Sequence, residues 1–380
     1  METRCLETRF PSDERENGVR GIQGVAGVQK FEQIPRGARV EDLRHYSSQT
    51  LHRKDTVMKA VQIKSYGDPL EVLEVVDVPE PKAPGVNEAL IGIELSALTK
   101  YDLLSIGKAL GGGPALPTIV GTEGFGRVLA VGRDVENVKV GDRVLAPPLS
   151  QTWREKMILP ASSLFPLPDG DPYQFSMLSS NPPTAALILS EYTQLKPGDW
   201  VVQNSANSGV GRSLIAIAKA RGFRTINFVR RQELLKELKA AGGDIVLVDG
   251  HGAAEEALRL VGDSSVRLGV DAIGGVATAT LVQVLSPAGV LVSYTAASGE
   301  PMSVNALQLI FKQLRVAGFF LGYFDYVKKV LPAMREAAPL VASGALHVPV
   351  AAIYPLSRMR DAITHLQRGG KILLEIQKLN

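Results

Sequence analysis

Residues 200–231, WVVQNSANSGVGRSLIAIAKARGFRTINFVRR, decide the fold of this chain. The short apolar segment Trp200–Gln203 is typical of a strand that is buried on both faces of a parallel sheet. Glycines follow it, and apolar residues then recur at helical spacing until Gly222, after which residues 225–229 are extended again. The stretch therefore predicts a strand, a turn, a helix and a second strand, which together make a βαβ unit.

The glycine turn of this unit has the composition of an anion site. Backbone N–H groups at a helix N-terminus point outward, and the helix dipole favours a negative charge there, so a pyrophosphate is a suitable ligand. In the GxGxxG frame, however, two positions hold Ala206 and Ser208, while Gly211 is in place and Gly209 is additional. Two interpretations therefore remain: a cofactor turn, or a glycine turn needed only for close packing of helix on strand.

Two arginines end the second strand and indicate which nucleotide the unit binds. An NAD-binding unit has an acidic residue about 20 residues after the glycines, whereas this chain has Arg230 and Arg231. A guanidinium fits a 2′-phosphate that an acid would repel, so we expect NADPH rather than NADH. The alternative is that the arginines form a solvated face at the start of the next helix.

Composition limits the class of protein. With 380 residues, 45% of them hydrophobic, the chain can bury a large core in about two domains. Its 42 basic and 39 acidic residues are interspersed, so no face for nucleic acid is predicted, and no apolar run approaches the roughly 20 residues of a membrane span. The single cysteine, Cys5, excludes a disulfide framework within the chain and suits a reducing compartment, so we expect a cytoplasmic protein.

Residues 1–57 differ from the rest of the chain. They carry charges of both signs, few large apolar residues and no sustained periodicity, which predicts a disordered extension. A translation start at Met58 is the alternative interpretation. The segment has no apolar signal-peptide core, and its acidic residues argue against a transit peptide.

From Met58 onward the chain is strand-like, with turn residues between the segments MKAVQIKSYG (residues 58–67), LEVLEVVDVPEP (residues 70–81) and EALIGIELSAL (residues 88–98). This predicts an antiparallel β domain. Two glycine-bearing segments stand out: VGTEGFGRVLAVG at residues 120–132 and VKVGDRV at residues 138–144. Sheet corners and bulges need glycine at such positions. These segments resemble those of the medium-chain dehydrogenase/reductase superfamily, and the resemblance extends from Met58 to the C-terminus.

Within that superfamily the chain is most similar to the mitochondrial-type 2-enoyl thioester reductases. The resemblance implies an α/β fold: a GroES-like, β-rich catalytic domain (residues 58–182 and 323–380) and an inserted Rossmann domain with a doubly wound parallel sheet (residues 183–322). It rests on five segments: Thr152-Trp153-Arg154, Asn181-Pro182, QNSANSGVGR, RTINFVR and LIFKQLRVAGFFL.

The resemblance also implies which residues contact NADPH. For Tyr294 and Phe319, packing in the core is an equally good interpretation. The implied cofactor-binding residues are Asn181, Asn207, Ser208, Gly209, Val210, Arg230, Arg231, Tyr294, Thr295, Ala296, Ala297, Phe319, Phe320, Leu321, Gly322 and Lys371.

The positions that hold catalytic zinc in metal-dependent relatives correspond here to Thr99, Thr122 and Asn181. Glu123 and Asp102 alone do not make a tetrahedral zinc site, so no catalytic zinc is predicted. Reduction of a carbon–carbon double bond conjugated to a carbonyl fits this chain better: hydride is added to the β-carbon and a proton to the α-carbon.

Such a reaction develops negative charge on the carbonyl oxygen, which a hydrogen-bond donor must stabilise. The enoyl thioester reductases use a loop tyrosine, but the corresponding loop, GKALGGGPALP (residues 107–117), offers Ala109 or Leu110. Tyr101 is the nearest substitute and our candidate catalytic residue; packing between the domains is the other interpretation of it. The glycines make the loop either a mobile flap over the substrate or a passive surface loop.

The resulting prediction is an NADPH-dependent enoyl reductase that acts on a thioester of coenzyme A or of an acyl-carrier protein. Two alternatives remain open: a quinone or α,β-unsaturated carbonyl reductase, and a non-catalytic NADPH-binding sensor. The resemblance further implies a homodimer that pairs sheets edge to edge, for which the strand at residues 289–294 is suitable.

Overall fold

A computed structural model describes residues 56–107 and 113–379. The predicted extension falls outside the described residues apart from its last two, and so does the centre of the glycine loop, residues 108–112. Strands and short helices come first: β1 Val57–Ile63, α1 Pro69–Val72, β2 Leu73–Pro79, β3 Glu88–Ala97, α2 Lys100–Ile106, β4 Thr118–Ile119, β5 Phe125–Val131, β6 Arg143–Leu145, β7 Lys156–Pro160, β8 Phe165–Pro166, α3 Pro172–Phe175 and α4 Asn181–Glu191.

The middle of the chain alternates strand and helix, and the last part returns to the β-rich region. The alternating elements are β9 Trp200–Gln203, α5 Gly209–Ala220, β10 Arg224–Val229, α6 Leu234–Ala240, β11 Ile245–Val248, α7 Ala253–Val261, β12 Val266–Asp271, α8 Ala277–Val284, β13 Val290–Ser293, α9 Ala306–Phe311 and β14 Arg315–Gly318. The last elements are α10 Leu331–Ala342, β15 Val350–Pro355, α11 Met359–Arg368 and β16 Lys371–Glu375.

Strands β9 to β14 form a parallel sheet in the order β11-β10-β9-β12-β13-β14. This is the doubly wound order predicted for the nucleotide-binding fold. Different helices cover the two faces: Val201 of β9 packs in a core with α4, α5 and α10, whereas its neighbour Val202 packs with α7 and α8. Every residue of β9 is buried, which confirms the interpretation of Trp200–Gln203 as an internal strand.

The β-rich region consists of a three-stranded antiparallel sheet, β2-β1-β4, and a seven-stranded sheet in the order β15-β16-β3-β5-β6-β8, in which β7 also pairs with β3. The C-terminal strand β16 lies against β3, with Leu373 opposite Ala97. One pair, β15 and β16, is parallel, and every other pair in these two sheets is antiparallel. Trp153, fully buried, lies in the core of this region.

Two local predictions were wrong. The segment at residues 70–81 begins as α1 instead of a strand, because the side chain of Asp68 accepts a hydrogen bond from Leu70 N and Pro69 occupies the first turn. The strand suggested for dimer pairing, residues 289–294, is internal: β13 pairs with β12 on one side and with β14 on the other. The free edges of the sheet are β11 and β14.

The predicted domain boundaries stay a prediction, and the packing of α10 bears on them. Helix α10 lies in the segment 323–380, which was assigned to the GroES-like domain. Its residues Met334 and Ala338 nevertheless share a core with Leu187 of α4 and Leu214 of α5. The C-terminal segment thus contributes to both regions.

The turn between β9 and α5 requires glycine at one position above all. A Cβ on Gly211 would lie 2.6 Å from the carbonyl oxygen of Ala206 and 2.7 Å from its Cα, and both are backbone atoms that cannot rotate away. The first turn of α5 can therefore lie this close to the turn that follows β9 because residue 211 has no side chain. Close packing is one reason for glycine at residue 211, and the cofactor turn stays a prediction.

We predict that Gly211→Ala lowers the free energy of unfolding by about 1–3 kcal/mol, the usual cost of overpacking. Urea unfolding followed by circular dichroism measures the change. Gly318→Ala is the control, because a Cβ at Gly318 meets no heavy atom within 4 Å. Equal stability of the two variants would contradict the proposed steric role.

Candidate functional site

A cleft of about 1640 Å³ lies at the carboxyl ends of the parallel strands, between the parallel sheet and the β-rich region. Residues that directly follow β9, β10, β12, β13 and β14 line one side. All the residues predicted for the site line this single cleft: Tyr101, Asn181, Asn207, Ser208, Gly209, Val210, Arg230, Arg231, Tyr294, Thr295, Ala296, Ala297, Phe319, Phe320, Leu321, Gly322 and Lys371. Their individual roles stay predictions.

The cleft opens at the point where the strand order reverses, between β9 and β12. Such switch points bind ligands in open α/β sheets, because the chain leaves neighbouring strands in opposite directions. A buried network fixes this point: Asn204 donates to Asp271 Oδ1 at 2.7 Å and accepts from Ala272 N at 2.7 Å. The second carboxylate oxygen of Asp271 accepts from the Thr278 hydroxyl at 2.6 Å. Sequence reasoning missed this network, since polar residues at strand ends are common in turns.

The first turn of α5 presents two backbone donors to the cleft. Ser208 caps the helix by accepting from Gly211 N at 3.1 Å. The amide groups of Gly209 and Val210 donate to no acceptor within the described parts of the chain. These N–H groups and the dipole of a twelve-residue helix make a suitable environment for a phosphate.

Asn181 lies directly beside this turn. A Cβ on Gly209 would be 2.6 Å from the amide nitrogen of Asn181, so glycine at residue 209 leaves the room that Asn181 occupies. Tyr294, directly after β13, lines the same cleft as this turn. Burial raises the pKa of Tyr294 to about 12, so the phenol stays protonated at neutral pH.

Arg230 and Arg231 end strand β10 at the rim of the cleft, and both are exposed. Arg231 makes a loose ion pair with Glu233, with 3.5 Å between Nε and Oε1. A third arginine, Arg212, is buried and ion-paired to Glu237 of α6, and its Nε donates to the carbonyl of Asn207 at 3.2 Å. Arg212 therefore braces the turn, while the two exposed arginines are available to an anion. Sequence reasoning did not identify the role of Arg212.

Aromatic side chains form the opposite wall of the cleft. Tyr101 stacks on Phe320, with 5.6 Å between ring centroids, and Phe320 meets Tyr323 edge to face at 5.1 Å. Burial of Tyr101, and after it the nearby Asp102 carboxylate, raise the pKa of the phenol, which therefore remains a donor across the neutral range. Phe319 is 7% exposed and stacks on Phe324 at 5.1 Å, so it belongs to the core as well as to the cleft wall.

A group of buried acids lies beneath the cleft floor. Asp102 is 2% exposed; its carboxylate accepts from Thr99 N and from the hydroxyls of Thr99 and Thr122. Glu123 is fully buried, and the Nζ atom of Lys371 lies 3.7 Å from its Oε1. The hydroxyls of Thr99 and Thr122 are thus committed to Asp102.

Possible metal ligands and membrane spans both bear on the class of protein. Within residues 56–107 and 113–379, no three histidine, cysteine, aspartate or glutamate side chains converge so as to hold a metal ion. In the same part of the chain, no helix is both long and apolar enough to cross a membrane. The absence of catalytic zinc stays a prediction.

Family models match both regions of the chain. Residues 85–169 match the alcohol dehydrogenase GroES-like domain, and residues 209–336 match the zinc-binding dehydrogenase family. The mitochondrial enoyl-acyl-carrier-protein reductase of Dictyostelium discoideum is 32% identical over 282 residues, which are 72% of this chain and 80% of that protein.

Solved structures share the fold. The mitochondrial 2-enoyl thioester reductase Etr1p was solved as a heterodimer with Etr2p from Candida tropicalis (TM-score 0.75, 21% identity, 84% of this chain and 100% of that chain). It was also solved with NADP and crotonyl-CoA (TM-score 0.76, 20% identity, 84% and 100%). A putative NADPH:quinone reductase of Bacillus thuringiensis gives a TM-score of 0.76 at 24% identity, covering 85% of this chain and 100% of that one.

We predict that replacing both Arg230 and Arg231 with alanine weakens NADPH binding and spares NADH. Each charge-assisted hydrogen bond to a phosphate contributes about 1.5–3 kcal/mol, and NADH lacks the 2′-phosphate. Fluorescence titration with each nucleotide measures the two affinities. The control replaces Arg133 and Arg360, which removes the same charge outside the cleft. Equal losses for NADPH and NADH would contradict the assignment.

Proposed function

This chain belongs to the mitochondrial enoyl-acyl-carrier-protein reductase family of the medium-chain dehydrogenases/reductases, and we propose that it reduces the conjugated double bond of a 2-enoyl thioester with NADPH. One observation carries the proposal: a single cleft brings the anion-binding turn and two arginines of the parallel sheet together with a phenol donor of the β-rich region. A redox nucleotide and a carbonyl substrate need these two sets of groups side by side.

The cleft fits NADPH by its donor set. The amides of Gly209 and Val210 suit the pyrophosphate, and Arg230 with Arg231 suits the 2′-phosphate, while Asn181 lies beside the turn. Asn207, Ser208, residues 294–297, residues 319–322 and Lys371 complete the proposed binding surface. When bound, NADPH supplies the hydride for the β-carbon of the substrate.

The role of the chain's own residues is to stabilise negative charge on the substrate carbonyl oxygen. Tyr101 lines the cleft as a protonated phenol, and its half-buried position strengthens the hydrogen bond that it can donate. A donor already held in place lowers the barrier because it needs no reorganisation during the reaction. The stack on Phe320 holds the Tyr101 ring in place. This contact is compatible with both interpretations of Tyr101, packing and catalysis.

A second candidate substrate class follows from the aromatic wall. The rings of Tyr101, Phe320 and Tyr323 form a surface on which a planar quinone can stack, and the fold is shared with a putative NADPH:quinone reductase. The loop at residues 107–117 lacks the tyrosine that the enoyl thioester reductases use. This difference favours the quinone reductase alternative, and also the alternative of a non-catalytic NADPH-binding sensor.

The experiment that tests the proposal follows NADPH oxidation by the full chain, by absorbance, with crotonyl-CoA and, separately, with a small quinone. Turnover of the thioester supports enoyl reduction. Turnover of the quinone alone assigns the chain to the second class, and binding of NADPH without turnover of either supports the sensor.

We predict that Tyr101→Phe lowers kcat by about 10²-fold, as the loss of one oxyanion donor does in other enzymes. The phenylalanine keeps the ring stack on Phe320, so folding and NADPH affinity should not change. Steady-state kinetics with crotonyl-CoA measures kcat, and Tyr173→Phe, outside the cleft, is the control. An unchanged kcat in Tyr101→Phe would assign Tyr101 to packing only.

The chain is proposed to form a homodimer through β14, the free edge of the parallel sheet. Next to this strand, α9 exposes large apolar side chains, among them Leu307 at 62%, Ile310 at 63% and Phe311 at 80%. An open edge beside such a patch is typical of an interface. The acyl-carrier protein as a partner and the cytoplasmic location stay predictions; the Dictyostelium relative is named mitochondrial.

We predict that Phe311→Asp weakens the dimer by about tenfold or more, because a buried aromatic side chain at an interface is often a hot spot. Multi-angle light scattering across a dilution series measures the dissociation constant. The control is Val140→Asp, which charges a residue that is 60% exposed in the β-rich region. A dimer of equal strength in both variants would contradict an interface at β14 and α9.

A further inference from the structure

Three ionisable side chains, Glu123, Asp102 and Lys371, lie close together at the floor of the cleft. Of these, only Lys371 belongs to the proposed NADPH-binding surface. Glu123 lies between β4 and β5 and is fully buried, while Asp102 lies on α2 and is 2% exposed. Lys371 begins β16; its side chain is 12% exposed and lines the cleft. The cleft floor is therefore in contact with Lys371, and Glu123 lies one layer below.

The two buried carboxyl groups differ in their hydrogen bonds. Burial raises the pKa of Asp102, but its carboxylate accepts from three donors, which oppose that rise and favour the ionised form. Glu123 accepts only from the Ser179 hydroxyl, at 3.3 Å on Oε2, and its Oε1 has no hydrogen-bond partner in the described structure. A buried oxygen without a donor is costly when it carries charge. The nearest cation, Lys371 Nζ, is 3.7 Å from that oxygen and donates instead to the carbonyl of Leu98 at 3.2 Å.

A charge count explains why Glu123 titrates near neutrality. The carboxylate of Asp102 and the ammonium of Lys371 balance each other, so ionisation of Glu123 leaves one uncompensated negative charge in the interior. Burial raises the pKa of Glu123 to about 7; Lys371 opposes this rise and Asp102 adds to it. These two are the charged groups that face Glu123 from the elements packed against it. Ser179, a neutral donor, also favours the ionised form.

We propose that Glu123 is a positioning residue that controls the charge of the cleft floor through Lys371. With a proton on Glu123, the charges of Asp102 and Lys371 balance, and the Lys371 ammonium at the cleft surface can meet an anionic ligand. When Glu123 loses this proton, the group carries one net negative charge, which repels an anionic ligand in the cleft. The inference rests on the proposed function in one respect only: the anionic ligand is taken to be NADPH.

The direction of the pH dependence follows by linkage. An anion in the cleft interacts better with the floor when Glu123 is protonated, so binding raises the pKa of Glu123 and takes up protons. NADPH affinity therefore falls as pH rises through about 7. A shift of about one pKa unit on binding corresponds to a tenfold difference between the limiting affinities at low and high pH.

The test measures NADPH affinity by fluorescence titration between about pH 6 and pH 8.5, a range that spans the ionisation of Glu123. Comparing each variant with the unmodified chain at the same pH cancels the titration of the nucleotide itself. Glu123→Gln mimics the protonated carboxyl, so it should keep the high affinity at every pH and reach about tenfold tighter binding than the unmodified chain at the alkaline end. Glu94→Gln is the matched control: Glu94 is buried too, but it pairs with Arg127 away from the cleft, and its variant should follow the unmodified chain.

Two further variants keep the test decisive if Glu123→Gln does not fold. Ser179→Ala removes the donor to ionised Glu123, so the midpoint of the affinity change should move to higher pH. Lys371→Met removes the ammonium, so NADPH binding should be weak and should lose its dependence on Glu123. Parallel pH profiles for the unmodified chain, Glu123→Gln and Ser179→Ala would overturn the proposal, since a purely structural glutamate moves none of these profiles.

A measurement without nucleotide separates this inference from the proposed function. The unmodified chain and Glu94→Gln should show an infrared band of a protonated carboxyl that disappears as pH rises through about 7, and Glu123→Gln should lack it. If this band and the pH dependence of NADPH affinity are observed but crotonyl-CoA is not turned over, the role of Glu123 is supported and enoyl reduction is contradicted. No NADPH binding at any pH would overturn both.

Discussion

The contact of helix α5 with the turn that follows strand β9 is the constraint on which the rest of the site depends. Residue 211 approaches the backbone of Ala206 so closely that no side chain fits there. This approach aims the first turn of the helix, with two uncommitted amides, into the cleft. Arg212 ties the turn to Glu237 of α6, and the bond from Asn204 to Asp271 ties the end of β9 to β12.

The cleft combines two kinds of chemistry because two sheets contribute to it. The parallel sheet supplies backbone donors and arginines at its carboxyl edge, where ligands of open α/β sheets bind. The β-rich region supplies Tyr101, whose ring stacks on Phe320 from the segment after β14, and a group of buried ionisable side chains. Neither set alone accounts for a redox reaction on a carbonyl compound.

The sequence predicted those parts of the fold and site that are encoded locally. Residues 200–231 contain their own strand, turn and helix, and the predicted cofactor residues come together because parallel strands end at one edge. The resemblance to a known family placed the residues of the β-rich side. What could not be predicted depends on distant pairing: Glu123 and Lys371 are far apart in the chain, and only the pairing of β16 with β3 brings them together. The mistaken choice of β13 as an edge strand has the same origin, since a short apolar strand looks alike whether one or two neighbours flank it.

The position of β16 has a consequence for the synthesis of the protein. Strand β3 precedes the parallel sheet in the chain, but the neighbour that covers one of its sides, β16, is made after the entire parallel sheet. On the ribosome the strands of the inserted sheet can therefore pair while this edge of β3 is still open. Because Lys371 is the first residue of β16, the pairing of β16 with β3 also places the Lys371 ammonium at the cleft floor. The edge of β3 beside the cleft therefore cannot close until the chain beyond the parallel sheet has been made.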